Sequence, residues 1–161
     1  MESIIIREIK KEDNPFIAQV IRSVLIDLNV PKVGTAYADP QLDFMFEAYA
    51  IAKAAYFVVE SNGKIIGGAG IGHLETDEGG ICELQKMYFL PEARGLGIGS
   101  KMMDKCLQSA TGFGYEKCYL ETMPYMEAAQ KLYKKSGFEY LCEPMGNTGH
   151  TNCPVWMLKD L

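Results

Sequence analysis

Three glycines at alternate positions, Gly95, Gly97 and Gly99, separate a strand-like segment from a helix-like one near the middle of the chain. Glycine has an entropic cost in regular structure, so the cluster indicates a tight turn or a backbone that something approaches closely. A strand, a glycine turn and a helix start bring free N–H groups to the positive end of a helix dipole. With Arg94 directly before it, the turn predicts a phosphate-binding site; an ordinary helix start with a surface arginine is the alternative.

The glycine spacing excludes two common nucleotide-binding motifs. The dinucleotide fingerprint G-x-G-x-x-G does not fit, because the third glycine comes one position early. The P-loop requires a lysine and then a hydroxyl residue after its last glycine, whereas Ser100 here precedes Lys101. Neither motif therefore fits this turn.

Composition sets the broad class of the protein. The 161 residues are 48% apolar and 23% charged, which predicts one globular domain spanning residues 1–161. The net charge of -5 argues against a nucleic-acid partner. The five cysteines form no C-x-x-C pair and the two histidines lie far apart, which predicts reduced thiols and no metal site. Without a signal peptide or a membrane-spanning apolar run, the expected location is the cytoplasm.

Strand-like and helix-like patterns share the chain. Helices are predicted over about 15–28, 41–50 and 126–136, with a further helix after the glycine turn whose apolar stripe runs from Ile98 to Ala110. Two strands joined through Asn62-Gly63 predict a hairpin. Strands are also predicted at SIIIREI, ICELQKMYFL, KCYLET, FEYLC and VWMLKDL. The predicted class is α+β, or mixed α/β, around one central sheet.

Two motifs together resemble one family. R-G-L-G-I-G, beginning at Arg94 after a strand ending in Y-F-L-P, is similar to the acetyl-CoA motif (Q/R)-x-x-G-x-(G/A) of the GNAT N-acetyltransferase superfamily. AAQKLYKKSGFEY resembles that family's final helix-turn-strand, where A-x-x-L-Y-x-K-x-G-F is typical. The element order extends the resemblance over essentially the whole chain. It implies a mostly antiparallel, splayed central sheet flanked by helices.

The resemblance also implies a cosubstrate, acetyl-CoA, and no metal. It places the pyrophosphate on the turn amides and the pantetheine arm along the strand before them. Met126 stands where the family often has an asparagine that contacts the cofactor, and a thioether cannot make an amide's hydrogen bonds. Met126 is nevertheless kept as part of the cofactor pocket. The resemblance implies that the cofactor-binding residues are Met87, Tyr88, Phe89, Arg94, Gly95, Leu96, Gly97, Ile98, Gly99, Ser100, Met126 and Tyr133.

Acyl transfer to an amine requires a base and an acid. Glu83 is the predicted base, because a partly buried strand raises a carboxyl pKa and the resemblance places a base four residues before Met87 in several members. Tyr133 is the predicted acid, since the resemblance directs this tyrosine at the cofactor sulfur. A salt-bridged or solvent-facing Glu83, a water relay and a core-packed Tyr133 remain the alternatives.

The predicted strand that contains Glu83 has a mixed pattern. Strict alternation would put Glu83 and Gln85 on the same face as Met87 and Phe89. Polar and bulky apolar residues on one face indicate an active-site face or a β-bulge that shifts the parity. The resemblance implies a bulge; an edge strand with mixed faces is the alternative.

The predicted function is N-acetyl transfer from acetyl-CoA to a primary amine by direct attack in a ternary complex, in a monomer or homodimer. A non-catalytic module that holds acyl-CoA is the alternative. The acceptor stays open between a small amine, a peptide N-terminus and a lysine side chain. Asp39, Asp43 and Glu47 either attract a cationic amine or serve as helix caps and a solvent-exposed helix face. His150 and Cys153 lie in an ordinary loop.

Overall fold

The computed structural model of the chain describes residues 3–33, 36–76, 79–146, 148 and 154–161. Its strands are β1 (Ile4–Glu8), β2 (Ala55–Ser61), β3 (Lys64–His73), β4 (Ile81–Phe89), β5 (Lys117–Thr122), β6 (Glu139–Tyr140) and β7 (Val155–Asp160). They form one sheet in the order β1-β2-β3-β4-β5-β7-β6. Neighbouring strands are antiparallel except β4 and β5, which are parallel. The α+β prediction with a mostly antiparallel central sheet is confirmed.

Helices cover both faces of this sheet. They are α1 (Asn14–Asp27), α2 (Met45–Tyr49), α3 (Ile98–Gly112) and α4 (Glu127–Lys135), with short 3-10 turns at Lys11–Asp13, Ala36–Ala38, Pro40–Phe44 and Pro91–Ala93. The predicted apolar stripe of α3 is buried and packs on one face of β2, which presents Phe57 and Val59. On the opposite face, Tyr56 and Val58 pack with α1 and α2. The two cores follow from the two-residue alternation of a central strand.

The hairpin between β2 and β3 forms as the sequence predicts. Asn62 and Gly63 both adopt positive φ, 50° and 83°, as a two-residue turn matched to strand twist requires. Farther along β3, side chains at Gly68 and Gly70 would meet the Tyr56 ring, with a Cβ only 2.6 Å and 2.5 Å from its nearest carbons. These glycines therefore make room for Tyr56 to lie across β3.

A β-bulge interrupts β4 at Lys86, whose φ is 50°. Against β3, Gly68 pairs with Tyr88 but Gly70 pairs with Gln85, so β4 contains one extra residue there. The hydroxyl of the Tyr56 ring donates to the Lys86 carbonyl at 2.8 Å, which satisfies a backbone acceptor at the bulge.

The bulge reverses which way the following side chains point. Met87 and Phe89 pack in the core that contains Cys82 and Leu84, on the α3 side of the sheet. Strict alternation, which would have put Met87 and Phe89 on the face of Glu83, is therefore wrong, and the bulge interpretation is confirmed.

Beyond the bulge the sheet splays open. The parallel pairing of β4 with β5 covers only Ile81–Glu83 against Lys117–Tyr119, and the second half of β4 has no partner on the β5 side among the described residues. This gap positions the candidate site described next.

Candidate active site

A cavity of about 410 Å³ lies where β4 and β5 diverge. Its volume falls within the usual range of small-molecule sites. The end of β4, the glycine turn, the end of β5 and the start of α4 all contribute to its wall. Among the residues predicted from the sequence, the cavity is lined by Glu83, Met87, Tyr88, Phe89, Arg94, Gly95, Gly97, Ile98, Gly99, Met126 and Tyr133. Leu96 and Ser100 belong to the same turn but do not line the cavity, and the Leu96 side chain is exposed.

The glycine turn presents bare backbone to this cavity. Gly95 and Gly97 have φ values of 78° and 74°, and a Cβ at either position would meet no described atom within 4 Å. The first helical bond runs from the Lys101 amide to the Gly97 carbonyl at 3.2 Å. Among the described residues, none accepts a hydrogen bond from an amide between Gly95 and Ser100. Free amides, open space and a helix N-terminus together fit a diphosphate group.

Arg94 ties the turn to the end of β4. Its Nη2 donates to the Phe89 carbonyl at 3.1 Å, and the side chain borders the cavity. A guanidinium has five N–H donors, so this single bond leaves the group able to contact an anion as well.

Glu83 lies at the other end of the cavity and is only 5% exposed. Its Oε1 accepts a hydrogen bond from Gln85 Nε2 at 2.7 Å, and Gln85 Oε1 accepts one from the Tyr49 hydroxyl at 2.5 Å. This chain fixes the orientation of the Gln85 amide and holds the carboxyl group in place. Within the described part of the chain, Oε2 of Glu83 has no hydrogen-bond partner.

The surroundings of Glu83 favour its neutral form. Burial raises the pKa of Glu83 to about 7, even though the Gln85 hydrogen bond acts in the opposite direction. The nearby Glu121 carboxylate raises this pKa further, whereas the Lys86 ammonium lowers it. A carboxyl group with a pKa near 7 can accept a proton at neutral pH and release it again.

Lys86 adds a buried ion pair that the sequence analysis did not predict. The side chain is 3% exposed, and its Nζ lies 3.0 Å from Asp39 Oδ2. Burial lowers the pKa of Lys86, but Tyr49 and Asp39 outweigh that effect and the net shift is upward. The pair therefore stays charged and joins the bulge to the 3-10 turn beside it. A lysine within an otherwise buried strand was the signal available in the sequence.

Tyr133 lies on the α3 side of the cavity and is 7% exposed. Its ring packs edge-on against Phe138, with 6.1 Å between centroids. Burial raises the pKa of Tyr133 to about 12, so its hydroxyl holds a proton at neutral pH. Tyr133 therefore packs in the core and also borders the cavity.

Met126 occupies the N-cap position of α4 and lines the cavity. Its sulfur accepts a hydrogen bond from Thr122 Oγ1 at 3.4 Å. The side chain also packs against the core on the α1 side. It therefore serves as an apolar wall and offers no amide to a ligand.

The three acidic residues considered for acceptor binding all have protein partners. Asp39 accepts from the Gln41 amide at 2.9 Å, as a helix cap would, besides its pairing with Lys86. Asp43 pairs with Arg22 at 2.7 Å on an exposed surface. Glu47 accepts from Asn14 Nδ2 at 2.7 Å. These contacts favour structural roles for all three over binding of the acceptor. His150 and Cys153 lie outside the described residues.

Glu121 on β5 is a cavity residue that the sequence analysis missed. Its Oε2 accepts from the Tyr119 hydroxyl at 2.6 Å, and its Oε1 accepts from the Thr148 hydroxyl. Nothing in the local pattern KCYLET distinguishes this glutamate from one on a solvated strand face.

Neither a metal centre nor a membrane-spanning helix is found among the described residues. No group of three or more His, Cys, Asp or Glu side chains there could hold a metal ion. No helix in those ranges has the length and apolarity needed to cross a membrane.

Comparison with known proteins places the chain in a family. The model of the acetyltransferase (GNAT) family matches residues 22–138. The uncharacterized N-acetyltransferase YjgM of Escherichia coli (strain K12) is 42% identical over 161 residues, covering 99% of this chain and 96% of that protein. A GNAT-family acetyltransferase structure from Staphylococcus aureus Mu50 superposes with a TM-score of 0.88 at 21% identity, with 99% of each chain covered.

A second structural neighbour was solved with its cofactor. YncA of Salmonella typhimurium, described as a structure with acetyl-CoA, has a TM-score of 0.76 at 20% identity, covering 99% of this chain and 94% of that one. At such identity the two solved structures support the fold. The family match and the extended identity to YjgM support membership. The chain therefore belongs to the GNAT acetyltransferase family and is an acyltransferase.

Proposed function

We propose that the protein transfers an acetyl group from acetyl-CoA to a primary amine by direct attack within a ternary complex. The observation that carries the proposal is one cavity shared by a bare-backbone glycine turn and the buried carboxyl group of Glu83. The N-acetyltransferase named among the relatives and the neighbour solved with acetyl-CoA agree with this assignment.

Acetyl-CoA supplies the activated thioester, and several residues of this chain suit its parts. The turn amides from Gly95 to Ser100, with Arg94, would hold the diphosphate. The backbone of 87–89, which borders the gap between β4 and β5, would pair with the pantetheine arm. Met126 and Leu132 provide apolar walls beside it.

Glu83 and Tyr133, which line the two sides of the cavity, each carry out one proton transfer. Glu83 accepts a proton from the acceptor ammonium, directly or through a water, and leaves a nucleophilic amine. The nitrogen then forms the C–N bond as the C–S bond of the thioester breaks. Tyr133, whose hydroxyl is protonated at neutral pH, donates a proton to the departing sulfur. The second amine proton and the proton held by Glu83 pass to solvent, Tyr133 regains a proton from solvent, and the products are an amide and a free thiol.

We infer that residues 1–161 act as one catalytic domain, since one sheet includes elements from both ends of the described chain. The cytoplasm is the expected location, because acetyl-CoA is used there and the described cysteines are free thiols.

An acceptor screen tests the proposed function. The protein is incubated with acetyl-CoA and a panel of small amines, peptides and lysine derivatives, and free thiol release is followed. Amine-dependent release is the expected result. Acetyl-CoA binding without turnover on any acceptor would contradict the proposal and favour an acyl-CoA-binding module.

Replacing Tyr133 with phenylalanine should lower kcat by roughly 10² without unfolding α4, because only the proton-donating hydroxyl is lost. The defect should shrink with an acyl donor whose thiol leaves more readily, since a better leaving group needs less protonation. Steady-state kinetics with two acyl thioesters measure both effects. Tyr140→Phe is the matched control, because that hydroxyl bonds Gln130 on the exposed surface. An equal loss of rate with both donors would return Tyr133 to a packing role.

A further inference from the structure

The hydrogen bond that Glu83 receives comes from an amide group, which has a donor end and an acceptor end. Gln85 Nε2 donates to Glu83 Oε1 at 2.7 Å, and an N–H donor favours the ionised carboxylate. The opposite orientation would turn Gln85 Oε1 toward Glu83, and only a protonated carboxyl group could then donate to it. The orientation of this amide therefore selects the protonation state of Glu83.

Tyr49 on α2 holds the amide from its other end. The Tyr49 hydroxyl donates to Gln85 Oε1 at 2.5 Å, so the acceptor end of the amide is engaged away from Glu83. Burial raises the pKa of Tyr49 to about 12, so the hydroxyl keeps the proton that it donates at neutral pH. A hydroxyl group can also accept, however, so its direction needs a cause of its own.

Lys86 supplies that cause, because an ammonium group has donors only. Its Nζ lies 3.0 Å from Asp39 Oδ2 and 5.8 Å from the centroid of the Tyr49 ring. The ammonium acts on the Tyr49 hydroxyl through its charge and through a side-chain hydrogen bond. The hydroxyl oxygen thus faces a donor, which leaves the hydroxyl proton for Gln85. Lys86, Tyr49 and Gln85 form one hydrogen-bond chain that ends at the carboxylate.

Two glycines of β3 leave room for this hydrogen-bond chain. In the register of β3 and β4, Gly72 pairs with Glu83 and Gly70 pairs with Gln85. A Cβ at Gly72 would lie 3.3 Å from Gln85 Oε1, and one at Gly70 would lie 3.2 Å from Tyr49 Cε1. The glycine-rich part of β3 therefore packs closely against both the amide and the tyrosine ring and restricts their movement.

We propose that Tyr49 and Gln85 are positioning residues that hold Glu83 in its proton-accepting form. Each member of the hydrogen-bond chain donates to the next, beginning at the Lys86 ammonium. The inference rests on the proposed acetyl transfer with Glu83 as base, and it names the residues that control that base. Without the hydrogen-bond chain, burial and the Glu121 carboxylate would keep more of Glu83 protonated at neutral pH.

Other charged or titratable groups also face Glu83. Apart from Tyr49 itself, they stay the same in the variants described below, so a difference in titration between those variants reports the amide. These groups are Lys86 on β4, Glu121 and Tyr119 on β5, Asp39 at the cap of the 3-10 turn Pro40–Phe44, and Tyr49 on α2.

Tyr49→Phe should move the midpoint of the Glu83 titration upward by about one pH unit from its wild-type value near 7. The freed amide can then turn its oxygen toward a protonated carboxyl group. Infrared difference spectra follow the carboxyl band as the pH changes, and Glu83→Gln identifies the band that belongs to Glu83. This measurement needs neither an acceptor nor turnover.

The same shift should appear in the rate of acetyl transfer. With butylamine as acceptor and saturating acetyl-CoA, kcat/KM of Tyr49→Phe should fall about 10-fold below the wild type at pH 6 and stay close to it at pH 9. A loss of packing alone would lower kcat/KM by the same factor at both pH values.

Tyr115→Phe is the matched control for the loss of a buried tyrosine hydroxyl. Tyr115 is 6% exposed and Tyr49 is 7% exposed, and the Tyr115 hydroxyl donates to the Lys53 carbonyl at 2.8 Å. Tyr115→Phe should therefore lose a similar amount of folding stability and keep the wild-type midpoint.

Gln85→Met tests the hydrogen-bond chain at a second point. It removes both ends of the amide at a similar side-chain length, so it should also raise the midpoint of the Glu83 titration. Adding Tyr49→Phe to Gln85→Met should not change the midpoint further, because Tyr49 acts through the amide.

The outcomes separate this inference from the proposed function. If Tyr49→Phe or Gln85→Met keeps the wild-type midpoint, if Tyr115→Phe shifts it equally, or if the two substitutions add in the double variant, the positioning role is overturned. Acetyl transfer with Glu83 as base then still stands. If no amine is acetylated, or if Glu83→Gln acetylates amines at the wild-type rate, the proposed base and this inference are both overturned.

Discussion

Replacing Glu83 with glutamine is expected to lower kcat by roughly 10²–10⁴ and to leave acetyl-CoA affinity almost unchanged. Glutamine keeps the shape of the side chain and can still accept the hydrogen bond from Gln85, but it cannot accept the amine proton. The effect should therefore fall on the chemical step. Steady-state kinetics and calorimetry of acetyl-CoA binding measure the two quantities separately.

The pH dependence distinguishes a base from a structural carboxyl group. Burial raises the pKa of Glu83 to about 7, so wild-type kcat/KM should rise as pH increases through that value. In Glu83→Gln the remaining rate should continue to rise toward about pH 10, because the amine must lose its proton without help. Near wild-type rates in the variant at neutral pH would point to a water relay or another base.

The same substitution should stabilise the folded protein above neutral pH. The carboxyl pKa is about 7 in the folded state against 4.5 in the unfolded one, so the unfolded state loses its proton first as pH rises. The free energy of unfolding of the wild type therefore decreases as the pH rises from 4.5 to about 7. Above about pH 7 the decrease is complete and amounts to about 3 kcal/mol. Glutamine does not ionise. Denaturant unfolding at acidic and mildly alkaline pH should show the advantage of the variant growing with pH, and an unchanged difference would argue against a strongly raised pKa.

Gly97→Asp is expected to abolish acetyl-CoA binding. Gly97 precedes α3 with φ of 74°, and its missing side chain leaves open space toward the amides that would hold the diphosphate. An aspartate there adds a like charge beside the phosphates and fills the approach to the turn. Calorimetric titration of the folded variant measures the loss.

A matched glycine controls for backbone strain. Gly63 also has positive φ, 83°, and a Cβ there would likewise meet no described atom within 4 Å, but this glycine lies in the β2–β3 hairpin turn. Gly63→Asp should therefore lose the folding stability that an aspartate at positive φ costs, and it should still bind acetyl-CoA normally. Arg94→Ala should weaken binding more modestly, by about 1–3 kcal/mol. Undiminished affinity in Gly97→Asp would contradict the assignment of the turn.

Local patterns predicted most of the fold. The Asn62-Gly63 turn and the apolar stripe of α3 depend on neighbours in sequence, and both are confirmed. The mixed face of the β4 sequence offers a bulge as one of three interpretations, but it does not place the bulge at Lys86. Its support comes from Tyr56 on β2, which no local pattern around β4 reveals.

The site was less predictable because it depends on long-range contacts. Glu83 could be named from the family motif, but its partners Gln85 and Tyr49 form a chain that spans 36 residues of sequence. The pairing of Lys86 with Asp39 and the contact of Glu121 with Thr148 likewise join distant segments.

The most direct test of amine acetylation with Glu83 as base is a product measurement at neutral pH. Wild-type protein and Glu83→Gln are incubated with acetyl-CoA and putrescine or butylamine, and free thiol and N-acetylated amine are quantified together by absorbance and mass spectrometry. The wild type should yield thiol and amide in equal amounts, and Glu83→Gln should yield far less of both. Thiol release without amide, or equal yields from the two proteins, would contradict the account.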